Sequence, residues 1–161
     1  MKKYLLSILA ALPMVFAFSA CSDDDNDLPD VDFDFTFENA VVSDGTVYVV
    51  QGEDFEITSI TVTNNEAGKG CGISSATYYW DYDFIGTSIQ PPFGFKFIVS
   101  DETPVGEHSL EISCPVFAVD KSLATALIGF DVQVVASPEE LPDDGTSGAH
   151  VDPKISATND K

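Results

Sequence analysis

Apolar and polar residues alternate with period two through most of residues 32–135. Phe93, Phe95, Phe97 and Val99 share one face, with Gly94, Lys96 and Ser100 on the other. His108, Leu110, Ile112 and Cys114 alternate against Glu107, Ser109, Glu111 and Ser113, and Phe130, Val132 and Val134 against Asp131 and Gln133. Such spacing sets one face against a core and the other in water, which predicts half-buried antiparallel strands. The same pattern predicts strands at 33–37, 46–50, 55–63 and 76–81. In the third of these segments the parity changes around Ile57-Thr58-Ser59-Ile60, which predicts a β-bulge. Turn signals fall between the strands at Ser43-Asp44-Gly45, Gly68-Lys69-Gly70, Pro91-Pro92 and Thr103-Pro104-Val105-Gly106. No stretch after residue 21 carries helical periodicity with caps. About seven short strands in this span predict an all-β, antiparallel β-sandwich.

The two ends read differently. Lys2 and Lys3 precede an apolar run from Tyr4 to Ala20, broken only by Ser7, Pro13 and Ser19. Residues 1–20 therefore read as a signal peptide. The run is short of the roughly 20 residues a retained membrane helix needs. Ser19-Ala20-Cys21 resembles the lipobox of bacterial lipoproteins, with Phe18 where that family usually has Leu. The resemblance implies cleavage before Cys21, a diacylglycerol on its thiol and an acyl group on its new amino terminus. One acyl chain holds a membrane only marginally, whereas two or three anchor stably. The competing reading is an ordinary signal peptide with Cys21 a passive residue. Ser22-Asp23-Asp24-Asp25 resembles the export signal that carries Bacteroidota lipoproteins to the outer face of the outer membrane. A cell-surface, lipid-anchored location is thus expected, with a periplasm-facing anchor as the alternative. Residues 21–31 form the lipidated cysteine and an acidic tether of roughly 30 Å reach. Residues 136–161 have few apolar side chains and read as a disordered polar tail.

Charge narrows the partners. The chain has 27 acidic residues, 7 lysines and no arginine, for a net charge of −20, and losing Lys2 and Lys3 takes this to −22. Nucleic acid is excluded as a partner, because binding it requires cations that displace phosphate counterions. The same charge repels an anionic bilayer, so membrane contact is expected through the lipid alone.

Ala76-Thr77-Tyr78-Tyr79-Trp80-Asp81 leads into Ile85-Gly86-Thr87, then Pro92-Phe93-Gly94-Phe95-Lys96-Phe97, then Gly106-Glu107-His108-Ser109-Leu110. This series resembles bacterial immunoglobulin-like domains over about residues 45–135. The resemblance implies an immunoglobulin-like β-sandwich serving as a scaffold rather than a particular activity. Tyr82 stands where the family usually has a turn glycine, which implies a looser or differently shaped turn. In such a sandwich Cys71 precedes, and Cys114 ends, strands that are antiparallel neighbours. The envelope permits a Cys71–Cys114 disulfide, and two buried reduced thiols are the alternative.

Catalytic equipment is sparse. His108 is in phase with Leu110 and Ile112 and reads as a packed strand residue, while His150 lies in the polar tail with nothing to hold it. Nucleophile elbows, paired metal-binding histidines and phosphate-cradling loops are missing from the sequence. Carboxylate pairs such as Asp81 with Asp83 or Asp101 with Glu102 are expected by chance in so acidic a chain. A non-enzyme with no cofactor and no dedicated metal site is expected, and the Asp run after Cys21 lacks the spacing of a Ca²⁺-binding EF-hand loop. For binding, Tyr79 faces out if Tyr78 and Trp80 face in, and Tyr82 follows in the turn. Tyr79 and Tyr82 beside Asp81 and Asp83 suit sugar stacking and hydroxyl recognition, so a glycan is the first candidate ligand. The alternatives are that these aromatics only fill the core, or that the module pairs with an envelope protein through a sheet edge.

Overall fold

The computed structural model describes residues 27–158. Twelve strands follow in order: β1 (Val31–Glu38), β2 (Val41–Ser43), β3 (Thr46–Val50), β4 (Phe55–Asn64), β5 (Cys71–Ile73) and β6 (Ala76–Trp80). Then come β7 (Asp83–Ser88), β8 (Phe95–Phe97), β9 (Gly106–Ala118), β10 (Ala124–Val135), β11 (Gly148–Val151) and β12 (Lys154–Ala157). One sheet runs β11-β1-β4-β8 and the other β2-β3-β10-β9-β6-β7, with β5 added to β9 and β12 to β10. This is an immunoglobulin-like sandwich: β1, β4 and β8 fall in one sheet as strands A, B and E do, and β6, β9 and β10 in the other as C, F and G do. Pairing is antiparallel except between β3 and β10, which run parallel.

The period-two pattern explains the core. Val31, Phe33, Phe35 and Phe37 of β1 are buried, with Asp32, Asp34 and Thr36 between them facing away. From the opposite sheet Phe130 of β10 meets Phe35 and Phe37 edge-on, at centroid distances of 5.0 and 5.7 Å. Such edge-to-face pairs add to the burial of both rings. At the other end of the core Phe55 stacks on Phe97 at 4.5 Å and Tyr78 on Phe95 at 4.6 Å. The buried Tyr78 hydroxyl donates to the Phe93 carbonyl, so its burial leaves no polar group unsatisfied. The bulge lies where the parity change puts it. Thr36 faces Ser59 and Phe37 faces Ile57, leaving Thr58 as the extra residue.

Several expectations need correction. Residues 136–161 are not a disordered tail as far as Thr158. β11 pairs with β1 and β12 with β10, and Pro153 between them is buried. These strands cover edges that β1 and β10 would otherwise expose. The tether also ends sooner than residue 31. Val31 is buried in β1, and the Asp27 carbonyl and carboxylate both accept from Ser122, in the turn between β9 and β10. Asn65 likewise donates from its side chain to Asp30, at 2.9 Å. The disulfide is not formed, and Cys71 and Cys114 are both free. β6 and β9 are indeed antiparallel neighbours. Cys71, however, pairs opposite Ala118, four residues along β9 from Cys114. That offset is about 13 Å along the strand, well beyond the roughly 7 Å a disulfide can bridge. Residues 1–26, on which the expected signal peptide and the expected lipidation of Cys21 fall, lie outside the described residues.

Candidate functional site

β6 and β7 form a hairpin whose two-residue turn is Asp81-Tyr82, since Trp80 pairs with Asp83. Both turn residues have positive φ, 48° at Asp81 and 70° at Tyr82. A two-residue turn with both φ values positive matches the right-handed twist of the flanking strands, and it normally recruits Asn or Gly. The turn is therefore tight rather than loosened, and Tyr82 itself takes the left-handed conformation. That conformation costs an L-residue about 1–2 kcal/mol.

Asp81 is the fastening of this turn. Its backbone N–H donates to the Ser109 carbonyl at 2.9 Å, and its Oδ1 accepts from the Ser109 N–H at 2.9 Å. Its Oδ2 lies 2.7 Å from Nδ1 of His108, whose Nε2 lies 2.8 Å from the Pro104 carbonyl oxygen. The His108 side chain is only 8 % exposed and its ring lies 5.2 Å from that of Trp80. Burial alone would depress the imidazole's pKa, but the Asp81 carboxylate and the Pro104 carbonyl outweigh it and raise it above the usual 6.5. Burial opposes ionisation of Asp81 too, and the His108 and Ser109 hydrogen bonds reverse this and lower its pKa. Both oxygens of Asp81 thus have partners on β9, although the side chain stays exposed.

The remaining expected residues share the hairpin. Tyr82 is 81 % exposed at its tip. Tyr79 is half-buried and meets exposed Phe84 edge-on at 6.1 Å. Asp83 is exposed and, with Trp80 and Ile85, lines an open hollow of about 440 Å³ that Phe95, Phe97 and Val99 also line, with Lys96 and Thr103 among its polar groups. Ile85 is the extra residue of a bulge between β6 and β7, because Tyr78 pairs with Gly86 and Tyr79 with Phe84. Bulges re-aim side chains in this way. Tyr79, Asp81, Tyr82 and Asp83, the binding residues expected from the sequence, are thus brought together on one hairpin, with the oxygens of Asp81 taken up by His108 and Ser109. The sequence did not show the partly open Trp80 or the bulged Ile85, and it read His108 as a packed strand residue without its partners Asp81 and Pro104. A Tyr at a two-residue turn was the available signal, since an aromatic is rarely placed where glycine is preferred.

His150 departs from expectation as well. It sits on β11 opposite Asp34, with Nδ1 2.8 Å from the Asp34 carboxylate and Nε2 3.8 Å from that of Asp32. The hydrogen bond that His150 donates to Asp34 raises the imidazole's pKa, with the charges of Asp32 and Asp152 adding to the effect.

No family model and no curated protein matches the chain. Among solved structures the chain is similar to the fibronectin(III)-like modules of CbhA from Clostridium thermocellum, at 18 % identity and a TM-score of 0.32, over 63 % of this chain and 96 % of that one.

Proposed function

We propose that this protein is a non-enzymatic, lipid-anchored immunoglobulin-like module of the cell envelope that binds a glycan through the β6–β7 hairpin. The observation that carries the reading is Tyr82, a large aromatic held mostly in solvent in a left-handed backbone conformation. Strain of this kind persists where a side chain must be aimed, and a core aromatic has no need of it. Tyr82 and Phe84 offer rigid ring faces at little entropic cost, Asp83 offers hydroxyl recognition, and the adjoining hollow offers an apolar wall.

The course of the chain supports the anchored orientation. Asp27 is six residues after Cys21, and it is fastened at the β9–β10 turn. Tyr82 lies at the opposite end, beside Ser109, nine residues along β9 from Ala118. This separates the two points by about 30 Å. A lipid on Cys21 would thus leave the aromatic hairpin facing away from the bilayer.

The test uses residues 22–161 in soluble form against a panel of polysaccharides. Binding is read by retardation in affinity gels and by fluorescence of Trp80, the single tryptophan and part of the hollow's lining. Tyr82→Ala and Phe84→Ala should each weaken binding by about thirtyfold, the size of a recognised binding hot spot. No response across the panel would sink the glycan reading. The anchor is tested separately by incorporation of labelled fatty acid, which Cys21→Ser should abolish, and the surface location by protease access on intact cells.

One observation favours a second reading, docking of an envelope protein. β7 ends its sheet with no partner on its outer side among the described residues, and it carries neither lysine nor proline to guard that edge. Cross-linking on cells from β7 positions, with Thr87→Lys as the blocked control, distinguishes it.

A further inference from the structure

We propose that His108 is a positioning residue for the Tyr82 turn and acts as the doubly protonated imidazolium, so that the presentation of Tyr82 follows pH; the consequence for ligand affinity rests on the binding reading above. The geometry is the argument. Each ring nitrogen of His108 faces an oxygen within hydrogen-bonding distance, Asp81 Oδ2 at 2.7 Å and the Pro104 carbonyl at 2.8 Å. A carbonyl only accepts, and an ionised carboxylate only accepts, while a neutral imidazole carries one N–H. With a neutral ring one of these two contacts would set lone pair against lone pair. The imidazolium satisfies both.

Burial works against the cation, and the surrounding acidic and aromatic groups offset it. Asp81 faces the ring from the β6–β7 turn. Glu107 precedes it on its own strand, and Asp131 of β10 lines with it a second hollow, separate from the one beside Trp80 and Ile85, next to Val132, which pairs opposite His108. The ring of Trp80 lies against it at an interplanar angle of 32°, presenting a π face to the charge. That hollow, about 510 Å³, contains no lysine among its lining residues.

Loss of the second proton removes one of the two bonds. If the Asp81 bond goes, the carboxylate keeps only Ser109, and the two left-handed residues lose the contact that ties them to the loop before β9. If the Pro104 bond goes, the ring keeps Asp81 but loses its own tether to that loop. Either way the turn keeps its two Ser109 hydrogen bonds but loses its brace to the loop before β9, and a ligand must then supply part of the ordering of Tyr82 as it binds.

Nitrogen-15 NMR of the full mature chain lacking the lipid tests this without any ligand. Both ring nitrogens of His108 should be protonated at about pH 6.5, and the Tyr82 and Ser109 amide signals should move together with the ring as pH rises. His108→Gln should abolish that coupled movement while leaving the remaining amide spectrum in place. A neutral His108 ring at that pH, or Tyr82 and Ser109 amides that ignore its titration, overturns the proposal. In a second arm, a polysaccharide that binds at about pH 6 should bind several-fold more weakly at about pH 9, and the difference should vanish in His108→Gln. Binding of equal strength at both values in the wild type overturns the coupling. Absence of binding at every pH refutes the glycan reading instead, and the NMR arm then decides the brace by itself.

Discussion

Tyr82 and Asp81 show how a residue of the wrong local preference can be kept. Both occupy left-handed backbone, which glycine adopts without penalty and other residues do not. Tyr82→Gly should relieve the strain, less the extra freedom glycine has when unfolded, for a net gain of up to about 1 kcal/mol. A urea titration measures it, and a loss of stability would show that the Tyr82 ring packs on the fold rather than awaiting a ligand. The histidines act with the opposite sign to the carboxylates. His108 has a folded pKa raised above 6.5, so its contribution is complete below that value and is lost as pH rises through the raised one. His150 is raised likewise, by exposed partners that solvent screens. Denaturant midpoints should therefore fall as pH increases from about 6.5, and the fall should shrink in His108→Gln. A midpoint that rises over that range would contradict the geometry at Asp81.

Strands were legible in the sequence in proportion to how unequal their two faces are. β1, β9 and β10 alternate buried and exposed positions, and each was readable from Phe, Val, Leu and Ile at every second residue. β7 is almost wholly exposed, and β2 and β5 are three residues each, too short for a period to register. β11 and β12 contribute backbone hydrogen bonds along strand edges and bury little beyond Ala149, Val151, Pro153 and Ile155. Backbone pairing leaves no compositional mark, which is why 136–161 read as disordered. The cysteines failed for a related reason, because neighbouring strands were legible and their register was not. Alkylation of unfolded, non-reduced protein should find both Cys71 and Cys114 free. In the folded state Cys114 should resist the reagent, since burial pushes its thiol pKa up to about 12 and leaves almost no thiolate. Gly86 tests the hairpin's packing. A Cβ there would fall 2.4 Å from the Phe95 ring, which is stacked on Tyr78 and packed against Phe97. Gly86→Val should cost about 1–3 kcal/mol in thermal or chemical unfolding, and a silent substitution would mean the aromatic layer yields more easily than its contacts imply.

At the scale of the whole molecule, the net charge of −20 and the two-ended layout constrain one another. Lys69 and Lys121 converge on Glu66 at 2.8 and 2.6 Å near the β9–β10 turn, and together they lower that carboxyl to about 2. Two lysines are thereby gathered at the end where Asp27 enters, while the hairpin end carries Asp81, Asp83, Glu107 and Asp131 with Lys96 beside its hollow. The fastening of Asp27 to Ser122 also fixes how the sandwich carries mechanical load. β1 starts at that end with Val31 opposite Asn64 and finishes with Glu38 opposite Glu56, near the Phe55 and Trp80 rings. Tension applied between Asp27 and Tyr82 therefore acts along the strands, loading the β1–β4 ladder in shear rather than peeling it one bond at a time. Pulling from those two points should demand more force than pulling across the β6–β7 pair from Trp80 and Asp83. The resistance of the module would then be set by its unfolding rate rather than its equilibrium stability. A small domain tethered at one end and gripped at the other would behave as a strut aligned with the direction of drag.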